Sequence, residues 1–573
     1  MNPLIKLTVW LAVCLAFVAS SQAATQIALT KHNLTPSGPG TIRTTQPTGL
    51  CVFCHTPHKA NGTIALWNRD LSPATYKIYS SSTLVSVLNQ PTGSSRLCLS
   101  CHDGTLALDN LRLPPKGGLT AMGVLTGSTV LGTDLSSSHP ISFTYDSTLA
   151  VTRGELVDPI ALPKGLQLLD INKQMQCTSC HDPHEDKQVN FLRADNRAGA
   201  LCTACHNLTG WRGAAHATSV ATWSGSGTNP WPAGAYTTVA DNACNNCHLS
   251  HSAAHPERLL AQSIEPANCT NCHSGTVATN NVANEFLKPY HHPIEGSQWT
   301  HLANENPSTM LRHVTCVDCH NSHVATSATA VPPYVSGALL GVKSVNQSGG
   351  TIPSPSFEYE VCNKCHGLTE PTTIGLTRAS ASRNIRMKID PLNPSFHPIA
   401  APGTNLTVSG FQVPYTAASQ IGCISCHNTD SSTGIPRGPH GSINEWILAA
   451  NYTTADSTPE SPQAYALCYQ CHNETYLITN QAKTFPHNTH LSTTPGVSGT
   501  FVNASCATCH DAHGSRQNAH LIDFMLRDRN GTVVVSPNSL GVLNYVSLGV
   551  GHGQCNLACH GHDHIATATT SFY

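Results

Sequence analysis

The sequence predicts a fold of mostly coil and short helices with a few short β-strands or hairpins, wrapped around groups that are not amino acids. Three observations predict it. Charged residues are 11% and aromatics 6% of the chain, against about 25% charged in an ordinary domain, so a conventional surface and a rich aromatic core are both missing. Pro is frequent, at 37 residues, and it removes a backbone donor and clashes with the preceding turn, which argues against long helices. Finally, one short motif takes up every cysteine except Cys14.

That motif is Cys-x-x-Cys-His. In chain order its cysteines and histidine are Cys51, Cys54 and His55; Cys98, Cys101 and His102; Cys177, Cys180 and His181; Cys202, Cys205 and His206. Next come Cys244, Cys247 and His248; Cys269, Cys272 and His273; Cys316, Cys319 and His320; Cys362, Cys365 and His366. The series ends with Cys423, Cys426 and His427; Cys468, Cys471 and His472; Cys506, Cys509 and His510; and a longer-spaced Cys555, Cys559 and His560. This is the attachment motif of haem c. Two thiols add across the two vinyl groups, so both sulfurs must project from one side of a single turn, as residues three or four apart do on a helix. The adjacent histidine then ligates the iron from below. Structural zinc does not demand a histidine directly after the second cysteine. A disulfide scaffold belongs to far shorter chains, and repetition of the whole motif excludes thioredoxin-type pairs. The expectation is twelve covalent haems. They would replace the missing core and order Ser/Thr/Asn/Gly-rich segments that would otherwise read as disordered.

Haem also changes the electrostatics. The formal charge is −2 and the sequence pI 7.0, but two propionates per haem make the loaded protein far more acidic. Basic partners or cationic mineral surfaces are favoured, with salt-sensitive rates, and no basic patch supports nucleic-acid binding. Residues 1–23 read as a signal peptide: Lys6, an apolar run from Leu7 to Val18, and Ser21-Gln22-Ala23 as the cleavage site. Cys14 within that run is either an ordinary leader residue or a lipidation site, though Val13 stands where a lipidation signal needs a small residue. No later stretch is long enough for a transmembrane helix.

The motifs fall into six pairs, at offsets of 47, 25, 25, 46, 45 and 49 residues. They define dihaem modules over 24–175 (with a long insert), 176–240, 241–300, 301–415, 416–495 and 496–573. Of the 33 histidines, those outside the motifs supply candidate second iron ligands. Most first motifs carry another histidine three residues on: His58, His184, His251, His323 and His513, with His440 as the delayed equivalent in the fifth module. After the second motifs come His139, His216, His292, His397 and His487 or His490; in the last module His552, His562 and His564 crowd together. His32 precedes the first motif and could serve within the chain or in another subunit. His255, His291, His301, His313 and His520 compete with these choices. Two ligands of one iron approach from opposite faces of the ring, so His55 and His58, neighbours on one turn, are expected to hold different irons and draw two haems together. The haem-free inserts 112–175, 328–360, 369–421 and 521–551 read as loops with a few strands. Asn530-Gly531 between two apolar runs predicts a hairpin.

CVFCHTPH at Cys51, CTSCHDPH at Cys177, CATCHDAHGS at Cys506 and KHNLTPSGPG ahead of the first motif resemble the large multihaem c-type cytochromes of metal-reducing bacteria, in particular those with doubled motifs. The resemblance implies a multihaem cytochrome c fold around a stacked haem chain, in the periplasm, at the outer membrane or secreted. It further implies electron transport to extracellular or outer-membrane acceptors such as metal oxides or quinone-like compounds. Implied partners are other c-type cytochromes or outer-membrane conduit proteins, with self-assembly into haem filaments as a variant. No residue is catalytic in the acid–base sense under this reading. The alternative is a multihaem reductase of a nitrogen or sulfur oxyanion, which needs one open iron.

Overall fold

Where haem is to form the core, the chain has little need of long elements, and the computed structural model has few. It describes residues 27–566 except 63–64, 164–165, 167–169, 233, 235, 295–304, 307–308, 310–312, 369–375, 381–383, 407, 432–435, 480–486, 492–502, 550–551 and 560–561. The expected signal peptide, Cys14, His301 and His560 lie outside the described residues. Among the described residues no helix is long and apolar enough to cross a membrane.

The longest helices each end on a motif: α1 (Gly93–His102), α2 (Glu265–His273) and α3 (Glu358–His366). Their starts follow from local chemistry. Pro266 in the first turn of α2 fixes φ and forgoes a donor that would be unsatisfied there anyway. At α3 the Glu360 carboxylate accepts the otherwise free amides of Ser356 and Phe357, at 2.7 and 2.9 Å. Eight other motifs sit on single α or 3-10 turns, such as Cys177–Cys180 and Cys316–Asp318. The helical turn expected around each motif therefore holds for all but the last.

The strands are short antiparallel ladders. Pairs of two-residue strands join Phe143–Thr144 to Gln174–Met175, Tyr290–His291 to Gly441–Ser442, and Ser395–Phe396 to Gly514–Ser515. Near the end comes β1 (Met525–Arg527), followed by a larger four-stranded sheet of β2 (Val535–Ser536), β3 (Asn544–Gly549), β4 (His552–Cys559) and β5 (His562–His564). β4 pairs with β2, β3 and β5, and β1 pairs with Thr377–Arg378. The hairpin predicted at Asn530-Gly531 is present: Val534 N–H donates to Leu526 at 3.0 Å and Asp528 N–H to Thr532 at 3.0 Å. Gly531 takes φ 82°, which a glycine adopts without penalty.

Two compact units emerge, residues 1–209 with 234–263 and residues 210–233 with 264–573. The first holds the motifs from Cys51 to Cys247 and the second those from Cys269 onward, so the division falls inside the 241–300 module. Apolar packing is scattered. In the first unit it comprises small clusters such as Phe143, Tyr145, Leu162 and Met175. In the second, Ile522, Phe524, Met525, Val534, Val535 and Leu557 pack under the sheet.

Candidate haem sites

His102, His273 and His366 are the last residues of α1, α2 and α3, whereas on the single-turn motifs the histidine falls past the end of the turn. After five odd-numbered motifs the chain then returns to lock that histidine. His55, His181, His248, His427 and His510 form isolated bridges with Trp67, Leu192, Leu260, Leu448 and Ile522. Their Nδ1–H groups donate to the carbonyls two residues before those partners: Ala65 (2.6 Å), Asn190 (2.9 Å), Arg258 (2.8 Å), Trp446 (2.8 Å) and His520 (2.9 Å). In four of the five, two successive non-glycine residues hold positive φ: Asn190-Phe191, Arg258-Leu259, Trp446-Ile447 and His520-Leu521. Such backbone costs on the order of 1–3 kcal/mol per residue and persists where the surroundings over-determine it. The result fixes the tautomer, with Nε2 left free for a metal. Sequence reasoning missed this clamp. Its signal is the apolar dipeptide that recurs after the odd motifs, as in Phe191-Leu192, Leu259-Leu260, Ile447-Leu448 and Leu521-Ile522.

Opposite most motif histidines stands a second imidazole. Among the described residues ten such pairs have ring centres 6.1–6.4 Å apart: His32–His102, His55–His184, His139–His206, His181–His251, His216–His273, His292–His366, His320–His440, His397–His472, His427–His513 and His487–His510. An iron bonded at about 2 Å to one nitrogen of each ring, with roughly 1.1 Å from nitrogen to ring centre, would set the centres about 6.2 Å apart. The pairs fit a six-coordinate haem iron between them. Among the described residues no group of three or more His, Cys, Asp or Glu side chains is gathered as a bare metal ion would need.

Burial lowers the basicity of many of these rings. Desolvation, reinforced by neighbouring imidazoles, brings His251, His273, His427, His440 and His472 down to about 4 and His510 to about 3. They are neutral, hence able to ligate, at ordinary pH.

The pairing crosses the expected modules. His184, His251, His440 and His513 each face the motif histidine of an earlier module, so the two histidines of a His-x-x-His turn point to different partners. His139, His216, His292 and His397 face the second motif of the next module, and His487 faces His510 in the module after its own. His32 faces His102 within its own module. The ring of His323 lies edge-on to Trp211 at 6.1 Å, and His490 shares the helix His487–Leu491 with His487. His552 is exposed on β4. His58 is exposed and, among the described residues, faces no motif histidine. Yet its amide bonds Thr56 Oγ1 at 3.4 Å, much as those of His184, His323 and His513 bond Asp182, Asn321 and Asp511 at 3.0, 3.1 and 3.0 Å.

Within each unit, successive motifs lie beside one another. In the first unit the thiols of Cys98 and Cys177, and of Cys202 and Cys244, lie close enough to perturb each other's ionisation. In the second the same holds for Cys269 with Cys316, Cys362 with Cys423, and Cys468 with Cys506. The intervening steps, such as Cys54 to Cys101 and Cys426 to Cys471, are short enough for the groups to feel each other's charge. The x residues of two motifs also meet: Lys364 Nζ pairs with Asp318 Oδ1 at 2.7 Å, both side chains almost wholly buried.

The comparisons with known proteins agree with this chemistry. A family model described as the doubled CXXCH motif matches residues 171–209 and 237–278. The multihaem cytochrome MtrA of Shewanella baltica (strain OS185) is 24% identical over 163 residues, covering 26% of this chain and 36% of that protein. The chain is a multihaem c-type cytochrome. Its motifs indicate covalent haem c, and the matched stretch spans little more than a third of MtrA's length.

The last motif of the cytochrome departs from the others. Cys555 and Cys559 lie on strand β4, not on a turn, which corrects the expectation of a helical turn there. Side chains alternate along a strand, so both sulfurs still share a face, and both pack against the apolar cluster under the sheet. At about 3.3 Å per residue, however, their backbones stand roughly 13 Å apart. Attachment through both sulfurs requires this strand to coil. The neighbouring sequence explains the strand: Thr532 to Val535 and Asn544 to Leu548 are rich in β-branched and apolar residues.

Proposed function

We propose that the cytochrome is an exported conduit carrying haem at its twelve motifs, the last least completely, and passing electrons through bis-histidine haems to extracellular or outer-membrane acceptors. The observation that carries this reading is the set of ten facing histidine pairs at iron-spanning distance. Closed irons suit electron transfer rather than substrate binding, and side-by-side motifs suit hopping along the chain. The likeness to MtrA supports partnership with other cytochromes and a place in the periplasm or at the outer membrane. Oxyanion reduction would need an open iron.

The test is the spin state of the oxidised holoprotein by electron paramagnetic resonance and near-infrared magnetic circular dichroism. Bis-imidazole low-spin signals throughout, with no carbon monoxide binding after reduction, are expected. A high-spin haem that binds nitrite or carbon monoxide would move the reductase reading to the front.

A second reading, assembly with further cytochrome chains as a filament or a conduit, is favoured by His58. It is displayed by the same kind of turn as His184 and His513, and it is exposed and, among the described residues, faces no motif histidine. In this reading His58 reaches the haem of another chain. His58→Ala should leave the spectrum of the isolated chain unchanged and shorten assemblies seen by light scattering and electron microscopy; unaltered assemblies would remove it.

A further inference from the structure

The facing pairs differ in how their rings are turned. Where the second histidine comes from a His-x-x-His turn or its delayed equivalent, the planes are close to parallel: 15° for His55–His184, 32° for His181–His251, 15° for His320–His440 and 7° for His427–His513. Where it comes from a segment upstream of the motif it faces, four pairs cross: 69° for His32–His102, 80° for His139–His206, 70° for His216–His273 and 61° for His292–His366. Two further upstream pairs near the end, His397–His472 at 33° and His487–His510 at 28°, fall with the first group.

Ring orientation has an electronic consequence. Each imidazole donates from a filled π orbital perpendicular to its plane into one of the two iron orbitals of matching symmetry. Parallel rings load the same iron orbital, where the ferric hole then resides and gains from both donors. Crossed rings load one orbital each, so the hole gains from one donor, and the two orbitals stay nearly equal in energy. Ferric iron is thus favoured more by parallel rings than by crossed ones.

A second feature acts in the same direction. Carboxylates stand against the Nδ1 of a facing ring in two parallel pairs, with Asp511 Oδ1 3.2 Å from His513 and Asp182 Oδ1 3.5 Å from His184. Asp511 is itself ion-paired with buried Lys388. In the crossed pairs His32, His139 and His292 donate instead to the neutral carbonyls of Pro183, Pro140 and Pro439 at 3.3, 3.0 and 2.7 Å. A carboxylate draws the Nδ1 proton and makes the ring a stronger donor to ferric iron.

We propose that the cytochrome contains two electronic classes of haem, and that the crossed-ring sites at His102, His206, His273 and His366 take electrons before the parallel-ring sites. Electrons entering a partly reduced chain would then rest on the second, fourth, sixth and eighth motifs, and the parallel-ring third and seventh would be crossed as higher steps. This rests on the bis-histidine reading of the sites.

The test is a reductive titration of the full holoprotein followed by electron paramagnetic resonance at liquid-helium temperature. Two low-spin envelopes are expected, a strongly anisotropic one from crossed rings and a rhombic one from parallel rings, with the first vanishing earlier. Loss of the anisotropic envelope last, or loss of both together, overturns the proposal, as does a single envelope. Failure of the bis-histidine reading would look different, because high-spin signals would be present before any reductant is added. Asp511→Asn keeps both ligands in place, and should bring one rhombic component forward in the titration; no movement removes Asp511 from the argument. Pairing it with Lys388→Gln restores charge balance and separates the hydrogen bond from the unpaired cation. A forward shift that survives in the pair assigns it to the hydrogen bond, and its disappearance assigns it to charge alone.

Discussion

Helix α3 and strand β4 present the same pair of residue types in opposite ways. On α3, Cys362 and Cys365 stand one turn apart beside a buried ion pair, and apart from Tyr359 and Val361 the helix buries mainly polar side chains, Glu358, Glu360, Asn363 and Lys364. On β4, Cys555 and Cys559 stretch along a strand that already has a core of its own in Phe524, Met525, Val534, Val535 and Leu557. The difference teaches that an attachment motif takes its shape from what else can stabilise the segment. Where the helix itself buries mainly polar side chains, with only the small cluster of Tyr359, Ile389 and Ile399 against it, the turn awaits haem as its core. Where β-branched neighbours supply a sheet, the same cysteines are drawn into it.

The largest effect should therefore come from α3. Cys362→Ala with Cys365→Ala removes a haem from a helix that itself buries mainly polar side chains, and is expected to cost more than about 4 kcal/mol, the range diagnostic of a lost cofactor. Limited proteolysis should cut first around 340–400; intact protection there would mean that α3 is held by its polar network alone. That network is the next largest. Replacing Lys364 by Met leaves Asp318 buried and unpaired, which typically costs about 3–5 kcal/mol. Denaturant unfolding of the holoprotein measures it, and a change near zero would show that water reaches Asp318.

Acid sharpens the comparison further. His440 and His472, serving motif turns, are held to about 4 by burial, whereas an unfolded chain takes up those protons near 6.5. The folded state binds fewer protons between these values, so stability rises with pH across the window and is lost as pH falls from about 6.5 to about 4. Low-spin haem absorbance should persist through mild acid and give way to high-spin absorbance toward the lower bound. Conversion centred near 6.5 would mean that the rings are not shielded.

Much of this was legible in the sequence, and the failures have physical causes. The motif cysteines and histidines needed only spacing, and that the two histidines of one turn face different partners, as His181 and His184 do, followed from the geometry of that turn. Which second histidine faces which motif was not legible. His139 reaches His206 because its amide is tied to Ser250 at 2.8 Å, a contact no local pattern encodes. Nor was the meeting of Lys364 with Asp318, since a charge between two cysteines reads equally well as solvated. The clamp carbonyls at Arg258, Trp446 and His520 were hidden for another reason: positive φ is signalled by Gly or Asn, and here tertiary structure imposes it on other residues.

The smallest effect belongs to the strand. Cys555→Ala with Cys559→Ala deletes two small groups from the edge of an existing cluster, and is expected to cost about 1–2 kcal/mol, leaving β-sheet content unchanged. Its diagnostic value is larger than its size. If the strand must coil before both sulfurs can react, haem attachment competes with a sheet that is stable without it. Intact mass spectrometry of the wild-type protein should then show species differing by one haem, with the deficit mapping to the peptide that contains Cys555. The double alanine variant should collapse that mixture to the lighter species. A wild-type protein uniformly loaded at every motif would show instead that attachment precedes the sheet, and that the strand forms only around a segment that has not yet received its haem.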